Sequence, residues 1–419
     1  MVDNNKWAFV RGDVQNTGSS SRRGPIEEPQ VKWRHDTGSR VFGTPLIVDD
    51  TVIVATQSPV HHTKGSVVAI DRDSGNRIWS SAEDSSGVRG TPAVANDRLC
   101  FGSLLGTLFV LDVGGGTVLH SADIGDSPSD GTYTLISEGT VFSQPYQLTA
   151  MDADSLAVDW ESDDEAFFES PFAIAEDKLF AGGYRQDGDP VYIGQNDDDL
   201  PEFVRPQTPF VRAMDTATGT TQWETAIDGR PRGTAVVDGT VFIAAAGSYP
   251  LGDRVTRINP TSENQPVPET EPVPYESFGV VVALDAKSGT ILWKTELSST
   301  VRTMPATDGQ YISVGTTAGK LVTLNATTGD PLWDERINEN NAVLSSPTIA
   351  GDAVYVGSDD NAIIAFDLAD GDELWRFESD APVDANPAIV DGTVYAADNS
   401  GVVYSLEEHN SDRNGSRDS

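Results

Sequence analysis

The sequence predicts an all-β fold: an eight-bladed β-propeller of four-stranded antiparallel blades, its ring closed by an N-terminal strand. Three observations carry that prediction. A skeleton of Asp, Gly and Trp, each four residues after the last, recurs along the chain. A phrase of two short apolar runs joined by a turn comes before the copies. A Trp-bearing segment near the N-terminus has no hairpin before it, while the last repeat has no Trp behind it. Four-stranded units recurring at about 40 to 50 residues are the signature of propeller blades.

The skeleton is cleanest in Ala283 to Trp293, ALDAKSGTILW, as Asp285, Gly289 and Trp293. It returns as Asp71, Gly75 and Trp79, as Asp215, Gly219 and Trp223, and as Asp367, Gly371 and Trp375. Asn325, Gly329 and Trp333 repeat it with Asn for Asp. Asp112, Gly116 and His120 keep the spacing but lose the Trp, and Asp152 and Trp160 flank Leu156 where the others have Gly. Apolar or alternating residues run up to each Asp, which is strand grammar. The Asp side chain suits an Asx turn, bonding amides just ahead of it. The Gly accepts the positive φ that reverses the chain, and the Trp falls on the returning strand. Each copy therefore reads as a hairpin. Repetition around a ring marks architecture, so Trp33, Trp79, Trp160, Trp223, Trp293, Trp333 and Trp375 read as structural.

The preceding phrase is GTPLIVDDTVIVAT from Gly43, GTPAVANDRLCFGS from Gly90, SPTIAGDAVYVGSDD from Ser346 and NPAIVDGTVYAADNSG from Asn386. Each supplies two further strands, so every unit has strands A to D. The blades are expected at 43–80, 90–121, 131–161, 169–224, 232–294, 302–334, 345–376 and 385–406, the last closed by 31–36 (VKWRHD). Closure removes sheet edges that would otherwise invite aggregation.

Residues 1–30 are expected to pack on the propeller as an N-terminal extension, 31–406 to form one propeller, and 407–419 to be a disordered tail. Insertions at 57–65, 184–210 and 247–278 enlarge blades 1, 4 and 5; the last two are acidic and Pro-rich and read as extended loops or short decorations. All three fall between strands B and C. Strand order puts B–C loops and D-to-A crossovers on one face, so the extra material decorates a single face, where binding is usually found. Arg11-Gly12-Asp13 matches a cell-adhesion tripeptide, a match too short to weigh.

The formal charge is −37, from 65 acidic and 28 basic residues, of which seven are Lys. Nucleic acid and anionic membranes are therefore poor partners. No run of 18 apolar residues offers a membrane span, so no direct membrane insertion is expected. No charged-then-apolar signal segment opens the chain, which leaves localisation open. The single Cys100 reads as a buried structural thiol. The acidic, Lys-poor composition resembles that of proteins from extreme halophiles. Stability is accordingly expected to rise between about 0.1 M and about 2 M potassium chloride, as the screening length falls from about 10 Å to below about 3 Å. A melting temperature flat across that range would remove the reading.

From Gly43 to Leu406 the chain resembles the pyrroloquinoline-quinone-type β-propeller repeat family, through the Asp-x-x-x-Gly-x-x-x-Trp skeleton and the GTPAV or SPTI phrases. The opening WAFVRGDVQNTG is similar to the segment that precedes many such propellers. The resemblance implies one of two activities. Quinoprotein dehydrogenases bind the quinone with calcium, an adjacent cysteine pair, acidic and amide ligands and a catalytic Asp. A non-enzymatic branch includes the propeller lipoprotein of bacterial outer-membrane assembly, and it makes an extracytoplasmic or cell-surface place the favoured one. With one cysteine and little chain beyond the ring, the non-enzymatic branch is the better match. The expectation is a non-catalytic scaffold with no cofactor, no catalytic residue and no metal ligand. A quinone- and calcium-dependent oxidoreductase and a cell-surface structural module are the alternatives.

Candidate sites follow the same logic. The adjacent His61 and His62 point to opposite sides of an extended segment and have no third ligand at metal spacing. Asp197, Asp198 and Asp199 read as a solvated acidic loop. The position just before strand A should line the channel mouth on the decorated face. In blade order it holds Phe42, Arg89, Asp130, Phe168, Arg232, Arg302, Leu344 and Asp384, with Arg40 and Arg230 two residues further out. Arg89, Arg232 and Arg302, flanked by Phe42 and Phe168, are the expected binding residues for an anionic ligand or a protein segment. Pairing of these arginines with Asp130 or Asp384 is the competing reading.

Overall fold

The computed structural model describes residues 6–58, 64–81, 87–88, 90–125, 133–144, 147–162, 166–168, 170–186, 191–195, 201–205, 207–249, 256–258, 276–338, 342–343 and 345–408. Strands A to D follow one another antiparallel in eight sheets. The innermost A strands begin at Leu46, Ala93, Tyr133, Ala173, Arg230, Ala306, Thr348 and Ala388. In the last blade the outer strand is Pro29–Asp36, paired antiparallel with Val402–Glu408, so that Trp33 lies opposite Ser405. The ring is thus closed by the N-terminal strand. The core lies between blades: apolar faces of neighbouring sheets share clusters, as Phe242, Val281 and Ala283 do with Ile312, Val314 and Leu324.

The skeleton turns out to be the lock between blades. Each Asp accepts the amide three residues on, as Asp285 does from Ser288 at 2.8 Å and Asp71 from Ser74 at 2.8 Å. Their side-chain bonds to Ser288 and Ser74 hold both carboxyls below the usual carboxylate range. Each Trp reaches into the following blade. Trp293 Nε1 donates to the carbonyl of Ala326 at 3.0 Å, Trp223 to Ala286 at 3.0 Å, and Trp33 to Arg72 at 2.8 Å. For these three, and for Trp79, Trp160 and Trp333, the acceptor is the residue after the next blade's Asp or Asn. The next blade's Gly lies against the indole: a Cβ on Gly329 would come within 2.5 Å of Trp293, and Gly329 has φ +75°. Glycine is therefore required twice, by backbone and by contact.

The two irregular copies are one event. His120 stands where blade 2 would offer a Trp, and Leu156 where blade 3 would offer the Gly that packs on it. Leu156 accepts φ 55° and fills the vacated space, buried with Val110, Val141 and Met151. Sequence alone presents them as separate lapses; the ring makes them neighbours. His120→Trp alone should destabilise by overpacking, about 1–3 kcal/mol, and Leu156→Gly alone by cavity formation, about 2–5 kcal/mol. The double variant should recover part of the combined loss, a coupling a double-mutant cycle in denaturant reads directly. Strict additivity would refute the pairing.

Residues 7–20 thread the channel along the inner edges of the A strands. Trp7 exchanges two backbone bonds with Ile47, and Ala8, Val14, Gln15, Thr17 and Gly18 accept amides of Val94, Ile174, Val236, Thr307 and Ile349. These are equivalent positions in blades 1, 2, 4, 5, 6 and 7, near the A–B turns, so the segment occupies the end of the channel opposite the decorated face. Arg11 is fully buried and donates to the carbonyls of Ser346, Pro347 and Pro305. Burial pulls its guanidinium down to about 9, against the pull of Asp13, so it stays charged at neutral pH. Gly18 (φ +63°) lies where any side chain would strike that guanidinium. The Arg-Gly-Asp tripeptide is thus an interior channel element. The chain next covers an open slot. Blade 8 has no C–D hairpin to receive Trp375, and the carbonyl of Pro25 receives its Nε1 instead at 2.8 Å.

Cys100 is buried in strand B of blade 2, and burial pushes its thiol up to about 12. Among the described residues no helix is long and apolar enough to cross a membrane.

Candidate functional site: the decorated face

The insertions of blades 4 and 5 do more than extend loops. Val191–Gln195 pairs antiparallel with Pro201–Arg205, which pairs in turn with Thr256–Ile258. One strand pair comes from blade 4 and the third strand from blade 5, so the two decorations form one small three-stranded sheet. It stands on strands that overrun the blade: Lys178–Gln186 pairs with Gln207–Asp215, and Thr240–Tyr249 with Glu276–Asp285.

Under that sheet blade 4 carries a cluster of arginines and aromatic rings. Glu224 accepts from Arg185 at 2.7 and 2.8 Å and from Arg212 at 3.0 and 2.7 Å. The Arg212 guanidinium lies over Phe168 and Phe210, at 5.5 and 5.0 Å from the ring centres, and Arg185 over Phe210 at 4.7 Å. Arg230 reaches across from blade 5 to lie 4.8 Å over Tyr184, which stacks on Phe167. Desolvation opposes ionisation of Glu224, but its two arginines outweigh it and hold its carboxyl low. Sequence reasoning passed over Arg212 and Glu224. The signal was there: Arg212 holds the place, three before the skeleton Asp, that Val68, Val282 and Ile364 hold elsewhere. A charge in an apolar strand slot announces a partner.

Phe42 and Arg232 are half-buried and Arg302 is exposed. Arg89, Asp130, Leu344, His61, His62, Asp197, Asp198 and Asp199 lie outside the described residues. Phe168 is not at the mouth. It pairs with Gly183 as Val41 pairs with Thr56, one step before the ring position, and is buried in blade 4 edge-on to Phe210. Strand register matches Ala173, opposite Phe180, to Leu46, opposite Ile53, and so leaves Phe168 one residue short of the place that Phe42 holds.

Asp384, the blade 8 ring residue, accepts from Asn399 Nδ2 at 2.8 Å. Beside it Asp359 is pushed up to about 6 by burial, by its hydrogen bond to Asp384 and by repulsion from Asp384 and Asp360. A carboxyl that binds its proton more tightly when folded contributes stability below its unfolded pKa, and that contribution is lost as pH rises through the folded value. Asp359→Asn should therefore raise the melting temperature at pH 7.5 and leave it nearly unchanged at pH 4. An equal shift at both pH values would contradict the shared-proton pair. Among the described residues no three His, Cys, Asp or Glu side chains gather as metal ligands.

A family profile described as "Outer membrane protein assembly factor BamB" matches residues 27–134, 63–248 and 277–417. The protein of that name from Yersinia pestis is 26% identical over 219 residues, covering 49% of this chain and 51% of its own. The one from Burkholderia pseudomallei is 28% identical over 120 residues, covering 29% and 30%. The chain thus spans about half, or less, of the length of these relatives. Among solved structures, BamB from Moraxella catarrhalis superimposes with a TM-score of 0.63 at 19% identity, over 93% of this chain and 99% of that one. A europium-containing methanol dehydrogenase does so with a TM-score of 0.65 at 15% identity, over 94% and 89%. At such identities the structures speak for the fold alone.

Proposed function

This chain belongs to the outer membrane protein assembly factor BamB family, and on that premise we propose a non-catalytic propeller scaffold that holds a protein partner on its decorated face. The observation that carries the reading is the joint sheet built from the blade 4 and blade 5 insertions. Two blades contribute strands to a platform that the ring itself does not need, and loops raised on a rigid scaffold are where recognition is placed. The relatives are named as assembly factors, which supports a protein as the partner. Arg302 and Arg232, with Phe42, suit an acidic or C-terminal peptide segment, because a guanidinium offers carboxylates a planar two-point contact.

The test is site-specific photo-crosslinking in the native host. Probes at the exposed Arg40 and Arg302 should capture a partner that probes at the exposed Ser74 and Ser288, on the opposite face, do not. Arg302→Glu should weaken that capture. Capture from Ser74 or Ser288 alone would overturn the reading. So would dye-linked turnover of an alcohol or aldose after adding the quinone and calcium.

A further inference from the structure

A cavity of about 540 Å³ lies in the groove where the ring closes, between the N-terminal strand of blade 8 and blade 1. His35 and Asp36 come to it from the closing strand, Ser58 and Lys64 from the neck of the blade 1 insertion, and Arg77 and Ser80 from the outer strand of blade 1. Among the described residues its lining is polar, with Val68 as the one aliphatic side chain. Its size falls in the small-molecule range of about 300–1,000 Å³.

Two cations, Lys64 and Arg77, meet at this cavity. The chain has 65 acidic and 28 basic residues, and many of the described cations lie beside carboxylates. Lys32 pairs with Asp73, Arg72 with Asp391, Arg98 with Asp154 and Arg376 with Glu373. Lys64 and Arg77 make no ion pair among the described residues, yet both line this one cavity. Among the described residues that line it the one carboxylate, Asp36, accepts the amide of Gly38 at 2.8 Å. His35 is held by Nδ1, 2.8 Å from the carbonyl of Gly75; a carbonyl only accepts, so Nδ1 carries the proton and Nε2 is left for another partner.

We propose that this cavity binds a small anionic polyol of the sugar-phosphate class. Lys64 and Arg77 would take the anionic group, since charge-assisted bonds to phosphate are the strong ones. The hydroxyls of Ser58 and Ser80 and the imidazole of His35 suit the sugar hydroxyls, and the scarcity of apolar lining argues against a nucleobase or lipid chain. Phe42, Arg232 and Arg302 are not among the residues that line it. It has a consequence for the fold: the ligand would touch both sides of the closing seam, so binding would stabilise the ring by mass action.

Calorimetric titration of the full chain tests this with D-glucose 6-phosphate, inorganic phosphate and D-glucose as probes. Glucose 6-phosphate should bind and raise the melting temperature, inorganic phosphate should bind more weakly, and glucose should give no heat. Arg77→Ala and Lys64→Ala, both at exposed positions, should each weaken glucose 6-phosphate by about tenfold or more, with unliganded melting unchanged. Arg302→Ala should leave that affinity intact. Loss of affinity in Arg302→Ala but not in Arg77→Ala would move the anion to the channel mouth and overturn the site. No heat from glucose 6-phosphate at about 100 times a millimolar Kd would overturn it outright.

Discussion

A chain lacking residues 1–36 should aggregate, or melt far below the intact protein. The deletion removes three supports together. It strips the outer strand from blade 8 and leaves Val402–Glu408 as a bare edge, which invites pairing with other chains. It removes the Trp33 ring on which Gly75 packs and the bond from Trp33 to Arg72. It also empties the channel of Trp7 and Arg11, both fully buried, and takes away the Pro25 carbonyl that receives Trp375. A typical domain has only about 5–15 kcal/mol in total, so this combined loss should exceed what the ring can bear. A shorter deletion ending at residue 26 separates the parts, since it retains the closing strand. It should fold with a lowered melting temperature, whereas the longer one should fail in size-exclusion chromatography. Equal melting of the longer deletion and the intact chain would show that the N-terminal strand does not close the ring.

The second large effect concerns the lock between blades 5 and 6. Trp293→Ala should cost about 3–5 kcal/mol in chemical denaturation, the usual range for removing a large packed ring. It removes the bond to Ala326 and the tilted contact with Phe242, 6.2 Å between centres. Gly329→Ala should cost less, but for two separable reasons. One is the positive φ of +75°, worth about 1–2 kcal/mol for a residue with a Cβ. The other is the collision with Trp293 at 2.5 Å. In a Trp293→Ala background the collision vanishes and the backbone part remains, so the pair should be markedly non-additive. A loss below about 1 kcal/mol for Trp293→Ala would mean that the indole is peripheral to the interface.

The sequence by itself determined the repeat, the blade count, the closing strand and the face that carries the insertions. These follow from local rules: strand alternation, Asx turns, a Gly with positive φ at fixed spacing, and the parity of antiparallel connections. Trp33 could be assigned to blade 8 because an unpaired strand at one end answered a missing one at the other. Tertiary structure alone decided what meets across blades, because partners there lie 33 to 350 residues apart. That His120 and Leu156 fall at matching positions of adjacent blades, that Pro25 stands in for a missing hairpin, and that Arg11 is a channel residue are all consequences of ring closure. The candidate site divides in the same way. The place of Arg232 and Arg302 before strand A was legible; a binding role for them is the proposal made above. Phe168 was misplaced by one residue, since only the ladder opposite Gly183 fixes its register. Arg212 could not be read as a partner of Glu224, alongside Arg185, until the strands brought the three together. Local spacing fixes which way a strand turns; which charges come together depends on how the strands and sheets pack, and no spacing within one of them records it.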